Sequence, residues 1–347
     1  MKLGIIGLPE AGKATVFAAL TGARGETPGQ AGASDPRIAT ITVLDQRIDY
    51  LSGIYQPKKT TYARIEYLLP SEIPSAKASK AERAIWSQVR NCDALLHVVR
   101  NFPSIDGTPP ESEQDFRQVE EEMILNDLVV VEKRLERLEL DRRRGKPPEG
   151  KEQEQLEACR AILEKGAALR SDPELAEAPE LRGFTLLSAK PMLIILNNQD
   201  EDVALPEWSM PPTRADRMVV RGRLEEDIAH MTSEESQEFR EAYDIEESAL
   251  DRVIRRSFEL LKRISFFTVG PDEVKAWPIP DDTPALEAAG AIHSDIKRGF
   301  IRAEVFHFDD LKEKGSFLEC KKAGLVRLEG KDYRVKDGDI ITFRFNV

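Results

Sequence analysis

The residues with the clearest chemistry are Gly7-Leu8-Pro9-Glu10-Ala11-Gly12-Lys13-Ala14-Thr15. They depart at one position from G-x-x-x-x-G-K-[ST], a loop that wraps a phosphate in backbone amides. Gly7 and Gly12 let the chain curl so that those amides converge, and a helix that follows adds its positive end. Lys13 has the charge and reach to bridge terminal phosphates. Ala14 stands where a serine or threonine hydroxyl would ligate Mg²⁺, and it has no oxygen to offer. Thr15 cannot take over, because one residue along a helix turns a side chain by about 100°. Glu10 sets a carboxylate inside the loop, which repels a triphosphate unless it turns to solvent.

Two further elements normally accompany such a loop. In D-x-x-G the Asp holds the metal and the Gly senses the terminal phosphate. No D-x-x-G occurs in this chain; its place is taken by Ile65-Glu66-Tyr67-Leu68-Leu69-Pro70-Ser71-Glu72. No protein group is therefore assigned to a metal, and no residue is assigned a catalytic role. The guanine-reading N-K-x-D is replaced by Asn197-Asn198-Gln199-Asp200. Asn197 and Asp200 keep the i, i+3 spacing that can face a base edge, but a polar turn after a buried strand would use the same residues. Both readings stay open.

These side chains need a scaffold. Apolar runs at 2–6, 62–69, 93–99, 192–196 and 218–220 read as strands, and 15–20 as a helix. Near-continuous apolar strands separated by helices point to a parallel sheet covered on both faces. Between about 113 and 181 the text turns charged and helical. Val119, Met123, Leu125, Leu128, Val131, Leu135 and Leu138 read as a stripe at three- and four-residue spacing. The stretch 142–150 breaks it, and Leu156, Cys159, Ile162 and Leu163 resume it. Two long antiparallel helices follow from this, inserted as an arm whose charged face is either simply solvated or partner-binding. From 264 onward, strands at 264–269, 275–279 and 302–308, a helix at 285–292 and a closing hairpin of 333–336 with 340–345 make a compact α+β module.

Composition sets limits. The 347 residues include 62 acidic against 50 basic side chains, a net charge of -12. Whole-surface repulsion of phosphate argues against a general nucleic-acid coat and leaves room only for a local basic groove. No apolar run is long enough for a membrane span, and the short run after Lys2 is too brief for a signal-peptide core. Cys92, Cys159 and Cys320 are odd in number and far apart, which suits reduced thiols in a cytoplasmic protein. No Ser-His-Asp or Cys-His set can be assembled.

The motifs, in this order, resemble the YchF/Obg-like ATPase family of P-loop proteins over nearly the whole chain. Besides the loop, the likeness rests on Asp45-Gln46-Arg47-Ile48-Asp49, Asn91-Cys92-Asp93, Leu187-Ser188-Ala189-Lys190-Pro191 and Asn197. It is most specific in Glu273-Val274-Lys275-Ala276-Trp277, His293-Ser294-Asp295, Lys297-Arg298-Gly299-Phe300-Ile301-Arg302-Ala303 and Val335-Lys336-Asp337-Gly338-Asp339. The resemblance implies an α/β fold with a Ras-like P-loop NTPase domain at 1–112 and 182–263. It further implies an inserted helical coiled-coil hairpin at 113–181 and a C-terminal β-grasp, ubiquitin-like TGS domain at 264–347. It implies ATP in preference to GTP, slow hydrolysis, and association with ribosomes or RNA.

The departures fall at functional points. The family's P-loop Asn is Glu10 here, its Mg²⁺-binding Ser is Ala14, and its D-I-A-G is Leu69-Pro70-Ser71-Glu72. Its base-reading Glu is Asp200, its switch threonine is missing around Ser34-Asp35-Pro36-Arg37, and Arg221-Gly222-Arg223 replaces its Ser/Cys-Ala turn. Two functions fit: a slow ATPase or GTPase, or a non-hydrolysing scaffold whose TGS domain and arm bind protein or RNA. The cations that could touch RNA are Arg142, Arg143, Arg144, Arg221, Arg223, Lys297, Arg298 and Arg302.

Overall fold

The computed structural model describes residues 1–22, 35–71, 85–145, 150–242 and 248–346, with the backbone alone of 25–26. Ser34 of the expected switch loop, Glu72, the arm's turn at 146–149 and Val347 lie outside the described residues. The chain divides into two compact units, 1–41 with 66–260 and 42–65 with 261–347. Residues 42–65, read from sequence with the nucleotide-binding region, group with the C-terminal residues.

The first unit is built on a seven-stranded sheet in the order β2-β3-β5-β1-β6-β7-β8. Its strands are β1 (Lys2–Ile6), β2 (Gly25–Glu26), β3 (Arg37–Val43), β5 (Ala63–Leu69), β6 (Ala94–Asn101), β7 (Met192–Asn198) and β8 (Asp216–Val220). From β5 to β8 every pairing is parallel. The apolar text of β6 and β7 explains this: Leu95, Leu96, Ile194 and Ile195 are fully buried, so both faces must be covered. Helix α1 (Lys13–Gly22) follows β1 directly, which places the phosphate loop at the carboxyl end of a central strand.

The arm begins with α3 (Ser112–Arg143), a helix of 32 residues, and returns through α4 (Glu152–Leu163), of only 12. Ile124, Val131 and Leu138 of α3 pack with Leu156, Cys159 and Leu163 of α4. Arg134 clamps Glu152 with two bonds, at 2.6 and 3.0 Å. At the arm's root the buried Asp127 accepts the backbone N–H groups of Leu187 (2.9 Å) and Ser188 (2.7 Å). This gives the Leu187-Ser188 text a structural task. Burial pushes the Asp127 carboxyl up even with both amides bound.

The second unit has a six-stranded sheet in the order β12-β11-β13-β9-β10-β4. Its strands are β4 (Lys59–Thr61), β9 (Arg263–Thr268), β10 (Glu273–Pro280), β11 (Phe300–His307), β12 (Arg327–Glu329) and β13 (Asp339–Phe345). The central pair β13 and β9 is parallel and each is flanked by an antiparallel partner, the β-grasp arrangement. A helix, Ala285–Ile292, packs Ala285, Ala288 and Ala289 against Phe266, Val305 and Ile341. Helix α2 (Gln46–Tyr55) buries Ile48 and Leu51 in this unit. Arg47 pairs with Asp337 at 2.6 Å and lies 5.1 Å from the Phe267 ring centre. The two motif runs at 45–49 and 335–339 are thus partners in one structure.

The expected closing hairpin is corrected. Residues 333–336 form no strand of this sheet, and β13 pairs with β11 and β9. The reason is the buried Asp339 carboxylate, which accepts from both Tyr333 Oη and Lys336 N at 2.8 Å and draws the preceding segment into a turn.

Candidate functional site

The loop between β1 and α1 is held by contacts that only glycine permits. Gly7 has φ +147°, and a Cβ there would come within 2.2 Å of the Val98 carbonyl oxygen. Gly12 has φ +87°, and a Cβ there would meet Asn197 Nδ2 at 2.1 Å. Leu8 O accepts from Ala11 N (3.4 Å) and from Lys13 Nζ (2.7 Å). Lys13 is therefore folded back over its own loop, and a phosphate would compete with that carbonyl for the ammonium. Val16 N donates to Gly12 O at 2.9 Å, which starts the helix and leaves the first-turn amides directed outward.

Pro9 and Glu10 are exposed, so the Glu10 carboxylate does turn to solvent. It does so from a left-handed backbone, φ +63°, which costs a non-glycine residue about 1 kcal/mol. Ala11 is buried and Ala14 exposed, with Thr15 half-buried beside it.

Asn197 is buried at the end of β7. Its Nδ2 donates to Ala11 O at 3.1 Å and its Oδ1 accepts from Gly222 N at 3.0 Å. The side chain is a brace that ties the phosphate loop to the turn after β8. Sequence reasoning named Gly222 within the turn that replaces the family's Ser/Cys-Ala but not its bond to Asn197; a glycine two residues past β8 was the available signal. Asp200 is half-buried, and its backbone oxygen accepts from Arg221 Nη1 at 3.1 Å. Asn197 and Asp200 are thus brought to the same end of the sheet with different tasks.

The metal side does not fit Mg²⁺. After β5, Ser71 is buried and locked to Gln88, donating its N–H to Oε1 (3.0 Å) and accepting from Nε2 at Oγ (3.2 Å). Among the described residues no carboxylate stands there, and Ala14 has no oxygen. Among the described residues no group of three His, Cys, Asp or Glu could hold a metal ion.

His97 lies in β6, in register with Ile6. It is buried, and burial first, then the cations of Arg170 and Lys13, push its pKa down to about 3. It is a neutral core ring, 5.4 Å from Phe116. His293 is exposed and accepts Asp295 N at 3.1 Å. All three cysteines are buried free thiols. The candidate RNA-contacting cations are divided between the two units, and four of the eight are ion-paired. Arg142 and Arg143 share Glu139 at 3.1 Å, Lys297 holds Glu287 at 2.7 Å, and Arg298 holds Asp295. Arg144, Arg223 and Arg302 are exposed.

A family model for the YchF GTPase C-terminal domain, described as a protein of unknown function (DUF933), matches residues 263–346. The chain is 36% identical to the ribosome-binding ATPase YchF of Bacillus subtilis (strain 168), covering 99% of both chains. It is 35% identical to Obg-like ATPase 1 of Oryza sativa subsp. japonica, covering all of this chain and 92% of that one. A solved structure of the Schizosaccharomyces pombe YchF GTPase superposes with a TM-score of 0.79 at 27% identity, covering 99% of this chain and 97% of that one.

Proposed function

The chain belongs to the YchF family of P-loop proteins, and from that premise we propose that it binds ATP or GTP at residues 7–15. It hydrolyses the nucleotide weakly or not at all and acts in the cytoplasm on a ribosome- or RNA-associated partner. The observation that carries nucleotide binding is the cradle itself: two glycines in conformations that converge the amides, with Lys13 above them. Ala14 and the Ser71–Gln88 lock favour weak turnover, because among the described residues neither position offers a free oxygen to fix a metal at the phosphates. Electrostatic stabilisation of phosphoryl transfer would lose several kcal/mol, on the order of one missing preorganised charge. The ribosomal partner is supported by the relatives in Bacillus subtilis and Pasteurella multocida, both named ribosome-binding ATPases.

Calorimetric titration with ATP and with GTP, each with and without Mg²⁺, tests this reading. Binding that differs little with the metal, with turnover near background, is the expected result. No binding of either nucleotide would overturn it and leave the scaffold reading, in which the arm and the C-terminal domain do the work. Tight Mg²⁺-dependent binding with turnover abolished by Lys13→Ala would instead restore a working NTPase.

A further inference from the structure

A second concave site lies in the first unit, lined by none of the phosphate-loop residues. It is a cavity of about 420 Å³ lined by Val203, Leu205, Met218, Val219 and three arginines, Arg217, Arg221 and Arg252, with Glu225 and Ala249 at its base. Glu225 is committed, accepting from Ser248 Oγ and Ala249 N at 2.9 Å each. The guanidiniums are not neutralised by any carboxylate among the described residues. Arg217 donates to Pro206 O and lies 4.7 Å from the Trp208 ring centre, and Arg221 donates to Asp200 O. Arg252 is exposed. In a chain of net charge -12, three unpaired cations around one cavity are a concentrated positive field.

The shape of the cavity narrows the ligand. Arg217, Met218 and Val219 are consecutive in β8. Alternate residues of a strand point to opposite faces, so three in a row can line one cavity only if it runs along the strand's edge. Among the described residues β8 is the last strand of its sheet, so that edge presents backbone groups without a neighbouring strand. Val203 and Leu205 add exposed apolar side chains to the rim. Among the described residues no aromatic ring lines the cavity to stack a base, which argues against single-stranded RNA.

We propose that this groove receives an acidic, extended peptide segment of a partner protein, added as a further strand on the free edge of β8. Its main chain pairs with β8, alternate carboxylates meet the three guanidiniums, and the intervening apolar side chains rest on Val203 and Leu205.

The test uses the full chain and a fluorescein-labelled eight-residue peptide of alternating valine and glutamate, read by fluorescence anisotropy. Arg252→Glu is the variant, since Arg252 is exposed and clear of the nucleotide loop. Affinity should fall about tenfold or more. N-methylating alternate peptide amides should abolish binding, because it removes the hydrogen bonds of a strand. Three results would overturn the proposal. They are unchanged affinity in the variant, equal binding of the N-methylated peptide, and displacement by free glutamate or inorganic phosphate at the peptide's own concentration. The last would mark a small-anion site. A single-stranded RNA oligonucleotide binding more tightly than the peptide would also count against it. The outcome is independent of nucleotide binding, which Lys13→Ala monitors separately.

Discussion

The phosphate cradle at 7–13 and the neighbouring strand end at Ser71 are built from different materials. The cradle is backbone: two glycine conformations, a helix start, and a lysine. The strand end has to be side chain, because a metal is held by oxygens on particular residues. Around the cradle the packing is so close that the positions cannot drift: Val98 O and Asn197 Nδ2 fill the space a Cβ would need. At the strand end, Ser71 has settled into a private bond with Gln88. Backbone-built function is protected by the same contacts that fold the domain, while side-chain-built function can be lost at no cost to the fold. A chain can therefore keep the outline of an NTPase site while the side chains around it change.

The strongest way to break this contrast is Gly12→Val. Its Cβ cannot coexist with Asn197 Nδ2, so nucleotide affinity should fall at least about 100-fold. Calorimetry showing near-native affinity would mean that the cradle does not bind phosphate. Next comes Asn197→Ala, which orphans Ala11 O and Gly222 N. Denaturant unfolding should report a loss of about 1–3 kcal/mol even without nucleotide. A neutral result would remove the brace from the account.

Ala14→Ser sharpens the comparison from the other side. If the cradle geometry is intact, one returned hydroxyl should make nucleotide affinity rise about fivefold on adding Mg²⁺, roughly 1 kcal/mol. No metal dependence would show that the Ser71 side is the greater defect. The smallest expected effect is Glu10→Asn. Asn tolerates the left-handed backbone and removes a charge, so affinity should improve about two- to threefold at low salt and converge with the parent at high salt. An equal gain at both salt concentrations would assign the effect to backbone strain rather than charge.

Much of this was legible in the residues. The parallel strands, the loop–helix junction and the arm follow from patterns that act locally: continuous apolar runs, glycine positions, a helical stripe. The lesions were legible too, because an absent oxygen at 14 or an absent D-x-x-G needs no coordinates. Other features were not. Residues 333–336 carry strand-like text, yet the buried Asp339 carboxylate claims their polar groups. Residues 42–65 follow the phosphate loop in sequence, yet Arg47 finds Asp337, 290 residues away.

What the sequence determined alone is a phosphate-loop cradle with alanine at position 14, since each element of it spans fewer than about ten residues and depends on local geometry. What only the tertiary structure decided is how distant polar groups are spent. Asn197 could have read a base, but both ends of its amide are taken by backbone from Ala11 and Gly222. Arg217 and Arg252 are unremarked charges in the text and Arg221 reads only as a candidate RNA contact, and only the sheet's open edge gathers the three around one groove. Hydrogen-bond satisfaction and charge convergence are properties of the packed chain, and spacing along the sequence does not encode them.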